Sequence, residues 1–213
     1  MKSKILSLNV GVPREEEWNG FKIRTSMRKS PVAQLEVGET SIEGDKFNNP
    51  EFHGTPDSVI YVFGEKSLLE YMKLIGRSEY ETGSLGENVL VEDLDEKQVS
   101  VGDVFQIGEV KIQATYPRIP CGKVNVRMQH GKGQRCMQEG GRSGVYFRIL
   151  QTGTIKPTDT LERIEEAKVR WPIFEVYRRR VNNIPFTEAE CDSALENGAF
   201  PKAVVEKWRA LKA

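Results

Sequence analysis

The segment Tyr116-Pro117-Arg118-Ile119-Pro120-Cys121-Gly122-Lys123 sets one thiol in a rigid, cationic frame. Pro117 and Pro120 hold the backbone extended on the approach to Cys121. Arg118 and Lys123 flank the sulfur, and cationic neighbours favour the thiolate, the form that binds metals and attacks electrophiles. A free cysteine can equally be a small buried hydrophobe, so a metal ligand, a nucleophile and a core residue all stay open on local chemistry. Three other segments carry polar groups just ahead of an apolar run. Phe52-His53-Gly54-Thr55-Pro56-Asp57 offers an imidazole and a carboxylate able to accept hydrogen bonds from a ligand's amines. Gly83-Ser84-Leu85-Gly86-Glu87-Asn88 offers backbone amides with the side chains of Glu87 and Asn88, and Arg28-Lys29-Ser30-Pro31 offers cations and a hydroxyl suited to a phosphate. Each of these alone reads equally well as a turn or a solvated basic loop.

These groups must be positioned mainly by strands. Ile5–Val10, Val32–Val37, Ser58–Phe63, Asp103–Ile107, Val110–Tyr116, Val145–Leu150 and Thr160–Ile164 are short, β-branched or aromatic, and bounded by Gly or Pro. Gly108-Glu109 joins two of them as a hairpin. Close spacing with no strand–helix–strand rhythm predicts a mainly β, barrel-like mixed or antiparallel domain with a few helices. One helix is predicted over Glu65 to Ile75, where Leu68, Tyr71, Met72 and Ile75 recur at helical spacing. Residues 131–135 read as a polar loop before Cys136. The β domain is expected to span residues 1–168. Residues 169–213 read as a three-helix appendage: an amphipathic helix over Ile173–Val181 ending in Arg178-Arg179-Arg180, a helix capped by Thr187 and Glu190 and stopped by Gly198, and one after Pro201 with Val204, Trp208 and Leu211 in its stripe.

The 31 Lys and Arg residues equal the 31 Asp and Glu residues, so no net field recruits nucleic acid or an acidic membrane, and any anion site is local. Cys121, Cys136 and Cys191 are odd in number and widely separated, which fits reduced thiols in the cytoplasm rather than a disulfide framework. No stretch approaches the roughly 20 apolar residues of a membrane-spanning helix.

The motifs together resemble the MOSC domain family, named for the C-terminal domain of molybdenum cofactor sulfurases, and within it the bacterial stand-alone members that confer resistance to N-hydroxylated base analogues. The resemblance runs from Leu8-Asn9-Val10-Gly11 through Glu43-Gly44-Asp45, His53-Gly54, Gly86-Glu87-Asn88 and Gly102-Asp103 to Pro117-Arg118-Ile119-Pro120-Cys121 and Gly144-Val145-Tyr146. It implies a β-barrel holding a molybdopterin-type cofactor with Cys121 as the molybdenum ligand. It also implies cofactor-binding roles for Lys29, Ser30, His53, Asp57, Glu87, Asn88, Arg118 and Lys123. His53 and Glu87 are then the expected proton donors beside Cys121. The family commonly has His-Gly-Gly where this chain has His53-Gly54-Thr55; a threonine tolerates positive φ poorly, so a loop of different shape is expected.

The implied activity is reduction of N-hydroxylated substrates such as hydroxylaminopurines to amines. The sequence has no flavin, haem or iron–sulfur motif, so an external reductase protein is the expected electron donor, with Arg178-Arg179-Arg180 as a docking surface and the chain a monomer or homodimer. The alternative within the family is a carrier of cofactor or sulfur without turnover. Other readings are a thiol hydrolase pairing Cys121 with His53 or His130, nucleic-acid binding by the C-terminal helices, and a zinc site of Cys121, His130 and Cys136.

Overall fold

The computed structural model describes residues 1–48 and 55–210. In chain order the strands are β1 (Lys2–Val10), β2 (Arg14–Trp18), β3 (Phe21–Thr25), β4 (Ser30–Pro31), β5 (Leu35–Val37), β6 (Ile60–Gly64), β7 (Val89–Val91), β8 (Val104–Ile107), β9 (Val110–Pro117), β10 (Val145–Gln151), β11 (Gly153–Ile155) and β12 (Thr160–Glu165). The helices are α1 (Glu65–Leu74), α2 (Lys123–Arg127), α3 (Gly133–Gly140), α4 (Ile173–Val181), α5 (Glu188–Asn197) and α6 (Lys202–Ala210).

Seven strands close a barrel: β12, β8, β9, β10, β6, β7 and β1 are neighbours in turn, and β1 pairs back onto β12. Every pairing is antiparallel except β6 with β7, because α1 carries the chain from one to the other. Alternation of apolar and polar residues turns one face of β9 inward, and Val110, Ile112 and Ala114 are fully buried. Phe105 and Phe147 meet edge-on at 5.6 Å in the same core. The fold is therefore the mainly β barrel with helices that the strand pattern predicts.

Two segments differ from the sequence expectation. The run Val32–Val37 is not one strand: Ser30–Pro31 pairs with β1 and Leu35–Val37 pairs with β11, so the chain changes sheet between them. The supposed polar loop at 131–135 enters α3, whose Met137 is buried. The three C-terminal helices form where expected, with Val205 and Trp208 as the buried residues of α6, Val204 half-buried, and Leu211 outside the described residues. Thr187 and Glu190 form a reciprocal capping box and Gly198 ends α5 in the left-handed conformation. Their buried residues, among them Val176, Cys191, Ala194 and Trp208, join the same apolar cluster as the barrel interior. Among the described residues no helix is long and apolar enough to cross a membrane.

Candidate functional site

Beyond the end of β9, Pro117 hands the chain to a short rigid loop that presents Cys121 and then starts α2. Three contacts hold this loop. The Gln134 side chain donates to the Pro120 carbonyl at 3.1 Å, the Ser143 hydroxyl donates to the Arg118 carbonyl, and the Val124 amide donates to the Cys121 carbonyl at 3.0 Å. The thiol itself is exposed. It opens onto a cleft shared with Lys29, Tyr61, Asn88, Arg118, Lys123 and Tyr146.

Arg118 is the unusual member. It is 5% exposed, yet among the described residues no carboxylate pairs with it. Its guanidinium donates to the thioether sulfurs of Met137 and Met27, at 3.3 and 3.8 Å, and lies 5.7 Å from the Tyr61 ring centroid. Thioethers, ring faces and the neutral Tyr146 phenol, to which Arg118 also hydrogen-bonds, are weak partners for a buried cation. Among the described residues nothing neutralises this charge, and an anion in the cleft would stabilise it. Beside it, burial raises the Tyr146 phenol above its ordinary value while the Arg118 charge opposes the rise, so this hydroxyl keeps its proton at neutral pH.

Lys29 is buried too, but its charge is met. Its Nζ lies 2.6 Å from Asp45 Oδ2, the Gly11 amide donates to the other oxygen at 2.7 Å, and Asn88 Nδ2 donates to Oδ2 at 3.0 Å. Burial lowers the Lys29 pKa, and Asp45, with Glu87 behind it, opposes that shift. Asn88 also accepts from the Tyr61 amide through Oδ1 at 3.1 Å, which stitches the cleft floor to β6.

Lys29, Asn88, Arg118, Cys121 and Lys123 thus share one cleft, and other expected site residues stand elsewhere. Ser30 is exposed on β4, because successive side chains of extended backbone face opposite ways. Asp57 is half-buried and ion-paired with Arg148 at 2.8 Å rather than lining the cleft. Glu87 is fully buried beneath the 83–87 loop and accepts from the Gly83 and Leu85 amides at 2.6 and 3.0 Å. Burial raises its pKa and those amides oppose the shift; it shapes the loop and does not line the cleft. His53 lies outside the described residues. Thr55 is not among the described residues with positive φ; its hydroxyl is 3.0 Å from that of Ser58.

Asp45, Tyr61 and Tyr146 are site residues that the sequence analysis does not assign to the site; the signals for Asp45 and Tyr146 are their places in Glu43-Gly44-Asp45 and Gly144-Val145-Tyr146. The competing pairings of Cys121 do not form among the described residues. His130 Nδ1 accepts the Lys132 amide at 3.3 Å, and Cys136 sits against the Leu74 carbonyl at 3.6 Å on α1. No group of three or more His, Cys, Asp or Glu converges among the described residues. Arg178 and Arg179 both pair with Glu175, and Arg179 also meets Glu190 at 2.8 Å, so most of the tail's basic run is neutralised locally.

The Lys29 wall depends on Gly83. A β-carbon there would lie 2.4 Å from the Lys29 carbonyl oxygen, and its φ is +73°. Gly76 has a similar φ of +72° with nothing within 4 Å. Gly76→Ala is therefore expected to cost only the left-handed strain, about 1–2 kcal/mol. Gly83→Ala should cost clearly more and displace Lys29. Denaturant melts of the two variants check this, and equal losses would show that the Gly83 contact relaxes freely.

The MOSC domain model matches residues 49–162 of the chain. The uncharacterized protein YflK of Bacillus subtilis is 30% identical over 97% of this chain and 91% of its own length. A protein of Gibberella moniliformis named a reductase is 29% identical over 62% of this chain, a stretch that makes up 24% of that protein. The crystal structure of YiiM from Geobacillus stearothermophilus superposes with a TM-score of 0.80 over 99% of this chain and 100% of that one, at 24% identity. The barrel, its cysteine cleft and these likenesses lead to one assignment: the chain belongs to the MOSC domain family, which is associated with molybdenum cofactor binding, and it has the architecture of YiiM.

Proposed function

We propose that the chain is a molybdenum-cofactor-dependent oxidoreductase that reduces N-hydroxylated bases to amines. The observation that supports this most is the exposed Cys121 thiol sharing a cleft with Arg118, a buried cation without a carboxylate partner among the described residues. The donor set fits the cofactor. Cys121 would hold molybdenum through sulfur, the donor type that its dithiolene also supplies. Arg118 and Lys123 would take its anionic phosphate through charge-assisted hydrogen bonds. When bound, the cofactor supplies the two-electron chemistry, while the protein orients and protonates.

The reaction R–NH–OH + 2e⁻ + 2H⁺ → R–NH₂ + H₂O needs a proton donor near the substrate oxygen. We assign that role to Tyr146, which borders the cleft beside Arg118, whose charge opposes the rise that burial causes in the phenol's pKa. Tyr61 and Leu85, with Met27 and Tyr146 packed against them, belong to an apolar cluster that backs the cleft and keeps water from that side. Electrons would come from an external reductase protein, and the likeness to a fungal protein named a reductase is consistent with such chemistry.

The test mixes chain purified from a cofactor-competent host with a chemical reductant and 6-hydroxylaminopurine, and follows adenine. The expected result is adenine formation proportional to bound molybdenum. Stoichiometric molybdenum with no adenine would instead make the chain a carrier of cofactor or sulfur.

A further inference from the structure

On the other side of the 83–86 loop from the cysteine cleft lies a second cavity, of about 330 Å³. Arg28 lines this cavity while its neighbour Lys29 lines the cleft; likewise Ser84 lines this one while Leu85 and Gly86 line the other. The Lys29 amide, donating to the Gly83 carbonyl at 2.9 Å, pins the partition between them. Arg77 and Arg127 join Arg28 in the cavity wall, with Glu79 and Glu81 as its carboxylates.

The charges here are incompletely matched. The Arg127 side chain is 6% exposed, and its one ion-pair partner among the described residues is Glu81 at 3.1 Å, whose side chain is 75% exposed. Arg127 Nε and Ser84 Oγ are both buried with no hydrogen-bond partner among the described residues. The Arg77 guanidinium donates to the Met128 carbonyl at 2.5 Å, and Arg28, 44% exposed, has Glu16 at 3.3 Å. Buried donors left unmet are costly and rare in native proteins, and each calls for a cause. Three guanidinium groups around one cavity match the oxygens of a phosphoryl group, which they can grip in bidentate fashion.

We propose that this cavity is a second anion site, taking the phosphoryl group of a small phosphorylated molecule. The oxyanion replaces Glu81 as the partner of Arg127, and Glu81, already mostly in water, turns outward at little cost. The volume exceeds what one oxyanion fills and reaches the size of small-molecule pockets. Tyr80, Met72 and Met128 give the remaining space an apolar wall for the organic part.

Calorimetric titration of the purified chain in a phosphate-free buffer tests the site, with inorganic phosphate in one arm and ribose 5-phosphate in the other. Arg77→Ala, at an exposed position, should weaken binding about tenfold or more, as expected for losing one charge-assisted contact. Glu81→Gln should strengthen it severalfold, because the competing carboxylate is gone. Lys123→Ala, in the cysteine cleft, should leave it unchanged. Tighter binding of ribose 5-phosphate than of phosphate assigns the organic wall; equal binding identifies the free ion as the ligand of the same site. Binding lost in Lys123→Ala and kept in Arg77→Ala would overturn the proposal, as would no binding in either arm.

Discussion

Cys121→Ser is expected to abolish molybdenum retention and turnover, while Cys136→Ser leaves both nearly intact. The three thiols occupy physically different places. Cys121 is exposed on a loop braced by Gln134, Ser143 and α2, beside a buried cation with no carboxylate partner among the described residues. Cys136 is half-buried against the Leu74 carbonyl, away from the cleft. Cys191 is fully buried in the apolar cluster that joins α5 to the barrel. A hydroxyl in place of the Cys121 sulfur keeps the shape and removes the soft donor that molybdenum prefers, so the loss should appear in metal content before stability changes. Cys191→Ser should do the reverse: stability drops because a buried apolar sulfur is replaced by a more polar hydroxyl, with metal per folded chain unchanged. Elemental analysis and denaturant melts on the three variants separate these outcomes. Full metal content in Cys121→Ser would remove the basis of the proposed function.

Cys121 is legible in the sequence because Pro117, Pro120, Arg118 and Lys123 surround it within a few residues. The barrel strands are legible for a similar local reason, since β-branched and aromatic runs stop at Gly or Pro. What escapes depends on contacts between distant segments or on orientation. Lys29 and Ser30 look alike as ligands, but only one of two successive extended residues can face the cleft. Glu87 and Asn88 divide in the same way, one into its loop and the other into the cleft. The β2–β3 hairpin hides in a run of three glutamates because it is charged and mostly exposed. Its Asn19-Gly20 turn, with φ of 51° and 78°, is the readable signal. α3 starts and ends in glycine and carries only Cys136 and Met137 as apolar side chains, too few to set a helical spacing in the sequence. Tyr61, Tyr146 and Met27 reach Arg118 only once the barrel has closed.

Asp45 shows what such a hidden contact is worth, and Asp45→Ala is expected to be the most destabilising single change in the cleft. Its side chain is 2% exposed and serves three donors: the Gly11 amide, Asn88 Nδ2 and Lys29 Nζ. Removing it strands the Lys29 ammonium, itself 6% exposed, and breaking one side of a buried pair costs roughly 3–5 kcal/mol. That exceeds the roughly 1.5–3 kcal/mol expected for one charge-assisted contact to the cofactor from Arg118. The sign of the pH dependence follows from Lys29. Burial already holds its pKa below the ordinary 10.5, with Asp45 opposing the shift, so losing Asp45 lowers it further. The folded variant then binds fewer protons than the unfolded chain between the lowered value and 10.5, and stability rises with pH across that window. The deficit of Asp45→Ala relative to the parent chain should therefore shrink as pH climbs from neutral towards 10.5. Lys29→Met added to Asp45→Ala should recover much of the loss, because the stranded charge is gone and its alkyl volume is kept. Denaturant unfolding of both variants at several pH values reads all three effects. A loss in Asp45→Ala that is small and flat with pH would mean that Lys29 escapes to solvent on its own and that Asp45 does not hold it in place.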